Sequence, residues 1–176
     1  KLRTGHEKTI HAPTHCLACG GKVARAEGEV AIVCGNKNCP AKHLENITHF
    51  VSKKAFNIDG LGYSIAKQLM DAGLIATPAD IFKLTKSDLV DLERFGERSA
   101  ENLIASIDKA REVRLPRFIY ALGIRHVGQN NARLLARHYH SFEGLHAAML
   151  SAADPESSAY QELLSIDGIG ETLAKA

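Results

Sequence analysis

Cys16, Cys19, Cys34 and Cys39 are all the cysteines of a 176-residue chain. They fall within HCLACGGKVARAEGEVAIVCGNKNCPAKH, residues 15–43. Two residues separate the first pair, four the second, and fourteen lie between the pairs. A C-x-x-C loop lets two thiolates converge on one ion, and Zn²⁺ takes four soft ligands in a tetrahedron. The alternative chemistry is two disulfides. The chain shows no signal-peptide pattern and is not otherwise cysteine-rich, so zinc is the expectation. With all four positions filled by protein, no coordination site stays open to a substrate, which makes the zinc structural rather than catalytic. His11, His15, His43 and His49 could replace a ligand in principle; beside four cysteines they read as surface or packing residues.

The elements that hold these thiols follow from the intervening residues. Gly20 and Gly21 come directly after the first pair, where the chain must turn sharply. VARAEGEVAIV alternates apolar and other residues around Glu-Gly, the pattern of a small β-hairpin.

The rest of the chain has a different texture. Apolar residues make up 45% and Trp is absent. No apolar run approaches the ~20 residues that cross a bilayer, so a soluble protein is expected. Length suits one or two modest domains. Net charge is +2 but unevenly placed. Residues 1–50 carry seven Lys/Arg against four acids, and residues 111–142 carry six Arg and three His against Glu112 alone. Such a stretch suits a phosphate-bearing partner, and also an ordinary solvated face.

A repeat organises residues 58–176. IDGLGYSIAKQL (58–69), LERFGERSAENL (92–103), IRHVGQNNARLL (124–135) and IDGIGETLAKA (166–176) align without gaps on Gly62, Gly96, Gly128 and Gly170. Four residues before the glycine stand Ile58, Leu92, Ile124 and Ile166; one before it, Leu61, Phe95, Val127 and Ile169. Four after it stand Ala66, Ala100, Ala132 and Ala174; seven after it, Leu69, Leu103 and Leu135. The +4 and +7 residues share one face of a helix starting after the glycine, and alanine there admits a close neighbour. The residues at −4 and −1 should pack the turn onto the helix pair, and the glycine should supply torsions closed to other residues. Helical stretches precede the turns, among them DIFKLTKSDLVDL (80–92), with Thr85 as N-cap and Asp88 in the first turn, and LPRFIYAL (115–122). The glycines lie 34, 32 and 42 residues apart. LSAADPESSAYQ (150–161) holds the extra length of the last interval and reads as a loop. The unit is helix, tight hairpin, helix, four times over.

This pattern resembles the helix-hairpin-helix motif, which implies binding to the DNA backbone without reading sequence. The physics agrees. A glycine turn feeding a helix exposes unpaired N–H groups at the positive end of the helix dipole, where phosphate is a natural ligand. Phosphate contacts position a protein but specify no base. The bland alternative is a glycine turn that merely joins two packed helices.

Nearly the whole chain resembles bacterial NAD-dependent DNA ligases. The resemblance rests on the four-cysteine finger, HFVSKKAFNIDGLG, FGERSAENLIASI, ALGIRHVG and IDGIG. It implies a mainly α fold: a zinc finger with a short β-hairpin over residues 14–42, then a helical domain of four helix-hairpin-helix motifs over 43–176. Residues 1–13 would be a linker from an OB domain that precedes this region, and the chain would be a fragment stopping in the last motif. The resemblance also implies a parent that seals nicks with NAD and Mg²⁺, a structural Zn²⁺ in this region, nicked duplex DNA as partner, a monomer, and a cytoplasmic, nucleoid-associated location. Residues implied in DNA contact are Gly60, Gly62, Lys67, Arg94, Gly96, Arg98, Arg125, His126, Gly128, Asn130, Arg133, Gly168 and Gly170. The second and third hairpins lead among these, since the acids Asp167 and Glu171 make the fourth a poor setting for phosphate.

Catalytic signatures are missing. The family's adenylated lysine sits in K-x-D-G, where this chain offers NIDG with Asn57. GLGYSI and GIGETL both fail the last glycine of G-x-G-x-x-G, and no G-x-x-x-x-G-K-[ST] occurs. Asp88 and Asp91 read as solvated helix charges, and His126 as a DNA or packing residue rather than a general base. No residue of this chain is expected to be catalytic. Two further readings stay open: the hairpin array of a repair nuclease or junction-binding protein, and a zinc-stabilised protein-interaction module.

Overall fold

A computed structural model describes residues 11–25, 30–93 and 95–176. Arg94 and most of the expected 1–13 linker therefore lie outside the described residues. The chain divides into two compact units, Lys1–His43 and Leu44–Ala176.

In the first unit, β1 (Val23–Arg25) and β2 (Ile32–Cys34) pair antiparallel, with Val23 opposite Cys34 and Arg25 opposite Ile32. This is the hairpin expected from the alternating pattern. Helix α1 (Pro40–Val51) follows Cys39 directly. Proline suits a first helical position, where its missing N–H has no partner to lose.

The second unit is helical. It holds α2 (Tyr63–Asp71), a 3₁₀ helix (Pro78–Lys83), α3 (Lys86–Val90), α4 (Glu97–Lys109), α5 (Leu115–Ala121), α6 (Gln129–Tyr139), α7 (Phe142–Ser151), α8 (Ser158–Ser165) and α9 (Glu171–Ala174). The pairs α1/α2, α3/α4, α5/α6 and α8/α9 flank the four repeat glycines. Two apolar clusters form. One spans Leu44 to Ala121 and joins the first two repeats; the other gathers Ile119, Val127, Ala132, Leu135, Leu163 and Ile169 from the last two. The repeat alanines Ala66, Ala100 and Ala132 are wholly buried, and Leu69, Leu103 and Leu135 nearly so. The sequence periodicity thus corresponds to the core-facing stripe of each second helix.

Three expectations need correction. Thr85 caps α3 with Asp88 in its first turn as expected, but the helical stretch 80–92 is split between a 3₁₀ helix and α3. Thr77 and Thr85 each take extended torsions and each is capped by the aspartate three residues on, so the chain stops and restarts. The Thr85 N–H and hydroxyl both donate to Asp88 Oδ2, at 2.8 and 2.7 Å. Asp88 is therefore a cap rather than a solvated charge. The 150–161 loop is shorter than expected: Leu150 and Ser151 end α7, and α8 starts at Ser158. The long last interval instead contains a whole helix, α7, that lies outside the four helix pairs. Finally, Ile124 does not pack its hairpin as its counterparts do; it is 36% exposed, against 4% for Ile58.

Candidate metal centre and nucleic-acid interface

The four cysteines converge. Their sulfurs all lie within 4.8 Å of one another. Cys16 Sγ and Cys39 Sγ are 3.8 Å apart, and Cys19 Sγ and Cys34 Sγ 3.5 Å. A tetrahedron with Zn–S of about 2.3 Å has edges of about 3.8 Å, whereas a disulfide needs about 2.05 Å. The donor set and its dimensions fit zinc. The backbone explains the convergence. Gly20, at φ +68°, turns the chain so that its N–H donates to Cys16 O at 2.8 Å, while Cys16 N–H donates to Gly21 O at 2.8 Å. A Cβ on Gly21 would stand 3.1 Å from Asn36 Cβ and 3.3 Å from Cys19 Sγ. Cys39 enters from the start of α1, where the helix dipole favours a thiolate.

The thiols differ in acidity. The Gly21 main chain and the Asn36 side chain lower Cys19 to about 6. Cys16 is lowered too, by main-chain hydrogen bonds from Ala18 and Cys19. At Cys34 the Asn36 main chain favours the thiolate, but burial and the neighbouring Cys19 and Cys16 sulfurs outweigh it and push the thiol up to about 11. A divalent cation at the centre offsets that mutual repulsion and lets all four ligate as thiolates. This is a structural zinc site.

The hairpins place the expected contact residues at exposed turns. Gly62, Gly96, Gly128 and Gly170 are the N-caps of α2, α4, α6 and α9, with φ between −76° and −99° and ψ near 180°. Any residue adopts these torsions, so the expectation that these glycines supply special backbone freedom is wrong. Among the described residues, a Cβ on any of the four would meet nothing within 4 Å. The left-handed position is two residues earlier: Gly60 at φ +88°, Gly168 at +89° and, in the third hairpin, His126 at +65°. Its second-hairpin equivalent, Arg94, lies outside the described residues.

Side-chain caps occur on several helices that do not leave a hairpin, though α5, which opens on Arg114 with proline in its first turn, has none. Ser141 Oγ accepts from Gly144 N at the start of α7, and Ser157 Oγ from Tyr160 N at the start of α8. The 3₁₀ helix and α3 have capping boxes. The four helices that leave a hairpin open on glycine with no side-chain cap. In α2, α4 and α6 the first intrahelical bonds are Ala66, Ala100 and Ala132 N–H to the glycine carbonyl, while in α9 Leu173 N–H already bonds to Gly170 O, ahead of Ala174. The amides ahead of Ala66, Ala100 and Ala132 are the orphan donors of a helix start.

Charge grades the four starts. The first turns of α2 and α6 hold no acid, while α4 opens on Glu97 and α9, only four residues long, on Glu171. Arg98, Arg125, Asn130 and Arg133 are exposed; Arg133 donates to Asn130 Oδ1 at 3.1 Å. Lys67 is exposed and paired with Asp71 one turn on. Two residues were missed by sequence reasoning. Asn131 donates to His126 O at 2.9 Å. Arg117, counted in the basic stretch, donates instead to the carbonyls of Ala55 and Lys53. The three-residue offset of Asn131 from the hairpin glycine carries no such signal, and the Arg117 contacts span more than sixty residues.

Among the described residues, no helix is long and apolar enough to cross a membrane. Comparison with known families places the NAD-dependent DNA ligase C4 zinc finger domain at residues 15–41, a SAM-like helix-hairpin-helix tandem at 53–109 and a helix-hairpin-helix motif at 117–176. The last two ranges overlap most of the two apolar clusters, although the first cluster also takes in Leu44, Ile47, Phe50, Val51 and Ala121. The DNA ligase of Bacillus subtilis is 46% identical over 174 residues, 99% of this chain and 25% of that protein. Those of Halalkalibacterium halodurans and Bacillus thuringiensis are 44% and 45% identical over the same share of the chain and 24% of theirs. The chain thus spans about a quarter of the length of these relatives. It corresponds to the four-cysteine zinc finger and helix-hairpin-helix region of NAD-dependent DNA ligases.

Proposed function

We propose that this chain is the duplex-gripping part of a ligase that seals single-strand nicks, and that it binds DNA through phosphates without sequence preference. The observation that carries this reading is the set of uncapped glycine helix starts. Among the described residues, no torsion and no neighbour calls for glycine at Gly62, Gly96, Gly128 or Gly170. What glycine leaves open there is room for a backbone outside the chain to approach the orphan amides. The third hairpin leads: α6 is eleven residues long, starts Gln129-Asn130-Asn131 without an acid, and is flanked by Arg125 and Arg133. The second contributes through Gly96 and Arg98 against the adverse Glu97, the first through Gly60, Gly62 and Lys67. The fourth, with Gly168 and Gly170, serves mainly to pack α8 and α9.

In this reading residues 1–13 link to a preceding OB domain, the finger occupies 14–42 and the grip 43–176. NAD and Mg²⁺ serve the parent's adenylation and transfer steps elsewhere in its chain, because Asn57 stands where K-x-D-G would need its lysine. The fragment is a cytoplasmic monomer that positions a nick while the parent does the chemistry.

Titrating the zinc-loaded chain against nicked duplex at several salt concentrations tests this. Log affinity should fall against log salt by about 0.9 per phosphate engaged, equally for unrelated sequences. Absent or salt-insensitive binding overturns the reading in favour of a protein-interaction module. Incubation with labelled NAD should leave no covalent AMP on the chain; an adduct refutes the non-catalytic assignment.

A further inference from the structure

The third hairpin differs from the first and fourth at one backbone position. Where they place Gly60 and Gly168 in left-handed backbone, it places His126, at φ +65°. An L-residue with a Cβ resists this conformation, and in the absence of compensation the turn is populated less by roughly tenfold. The hairpin contains a compensating contact found at neither glycine turn. Asn131 Nδ2 donates to His126 O at 2.9 Å. The nitrogen must face the carbonyl, because the amide oxygen has nothing to donate. At the same offset from the hairpin glycine, the first and fourth hairpins carry Ile65 and Leu173, which have no donor. The same carbonyl also accepts from Gly128 N–H, at 3.2 Å.

We infer that Asn131 is a positioning residue that holds the third hairpin in its left-handed turn. The inference rests on the reading of the hairpins as phosphate grips, and it adds a mechanism to the leading one. The Gly128 N–H is tied to His126 O in the free protein. When that N–H turns to a phosphate oxygen, His126 O would lose its partner and the strained turn its support. Asn131 keeps the carbonyl satisfied in both states, so the amide is released without relaxing the turn. His126 can then stand at the tip beside Arg125 with an imidazole where glycine would have none.

The test compares wild type, Asn131→Ala, His126→Gly and the double variant, each as the zinc-loaded chain. Amide hydrogen exchange across 126–130 and affinity for nicked duplex are read together, with the melting midpoint as a control for folding. Asn131→Ala should speed exchange in the hairpin and weaken duplex binding about tenfold, with exchange in the first apolar cluster unchanged. Adding His126→Gly, which removes the resistance to the left-handed turn, should restore exchange protection in the hairpin. Unchanged exchange in Asn131→Ala, or no rescue by His126→Gly, overturns the inference. If even wild type fails to bind duplex, the phosphate-grip reading falls, while the exchange measurements still decide the role of Asn131.

Discussion

Arg117 Nε donates to the main-chain carbonyl of Ala55 at 2.7 Å, and its Nη2 to that of Lys53. An arginine of α5 thereby closes the turn between α1 and the first hairpin. The six arginines of residues 111–142 are thus not one electrostatic surface. Arg111 is likewise engaged, with Asp108 and the Phe82 carbonyl. Arg117→Ala should lower the stability of the helical unit by about 1–3 kcal/mol, since it strands carbonyls bonded to a charged donor. The salt slope of DNA binding should not change. A melting scan with parallel binding titrations checks this, and a slope reduced by one contact would return Arg117 to the phosphate-binding set.

Chelation separates the two units. Among the described residues of the first unit, Cys39 alone is buried, so the finger has no apolar core of its own. Zinc held by Cys16, Cys19, Cys34 and Cys39 should supply most of its folding free energy. The helical unit has two apolar clusters and should keep its helicity. Metal analysis should return one zinc per chain. Adding a strong chelator should abolish exchange protection of Val23–Arg25 and Ile32–Cys34 and leave the helical circular dichroism nearly intact. Parallel loss of both signals would refute the independence of the units.

The caps give a pH dependence. Asp80 is held well below the usual carboxylate range by Lys83 and then by Thr77, and Asp88 is lowered by the Thr85 hydroxyl and main chain. A carboxylate whose folded value lies below its unfolded value, ~3.9, stabilises fully above that value. The contribution is lost as pH falls through the folded value. The melting midpoint should therefore be flat near neutrality and drop below about pH 4. Asp80→Asn with Asp88→Asn should melt lower than wild type at pH 7, and the gap should narrow towards pH 2. A gap independent of pH removes the carboxylates from the explanation.

What the sequence made legible was local or periodic. The metal centre rests on two short spacings, and the second helix of each repeat shows its buried alanine and leucine at fixed offsets. Less legible were contacts formed across distance or through conformation. Thr85 was legible as a helix start, whereas the 3₁₀ helix that opens at Thr77 ahead of it was not. The left-handed turn position is glycine in two hairpins only, so the four-fold glycine drew attention to the wrong residue. Arg117 reads as surface charge because its partners are main-chain carbonyls, which no composition reveals. Ile124 keeps the repeat pattern while leaving the core, so the pattern overstated its burial.

The glycines at the helix starts and those in the left-handed turns should respond oppositely to an added side chain. Gly128 has ordinary extended torsions, φ −76° and ψ 179°, and open space where a Cβ would go. Gly128→Val should cost no more than about 1 kcal/mol of stability, the penalty of a poorer N-cap residue. It should nonetheless weaken duplex binding strongly, because the isopropyl group fills the approach to the α6 amides. Gly170→Val should matter less for binding, since α9 is a single short turn opening on Glu171. Gly60→Ala should do the reverse: at φ +88° the methyl group costs about 1–2 kcal/mol of stability. Gly168→Ala should cost more, because its Cβ would also stand 3.2 Å from Leu134 Cδ1. Melting and duplex titration of the four variants decide between the two roles. If Gly128→Val destabilises the fold as much as Gly60→Ala, or binds duplex as wild type does, then the glycine at the helix start serves the chain itself and not a phosphate.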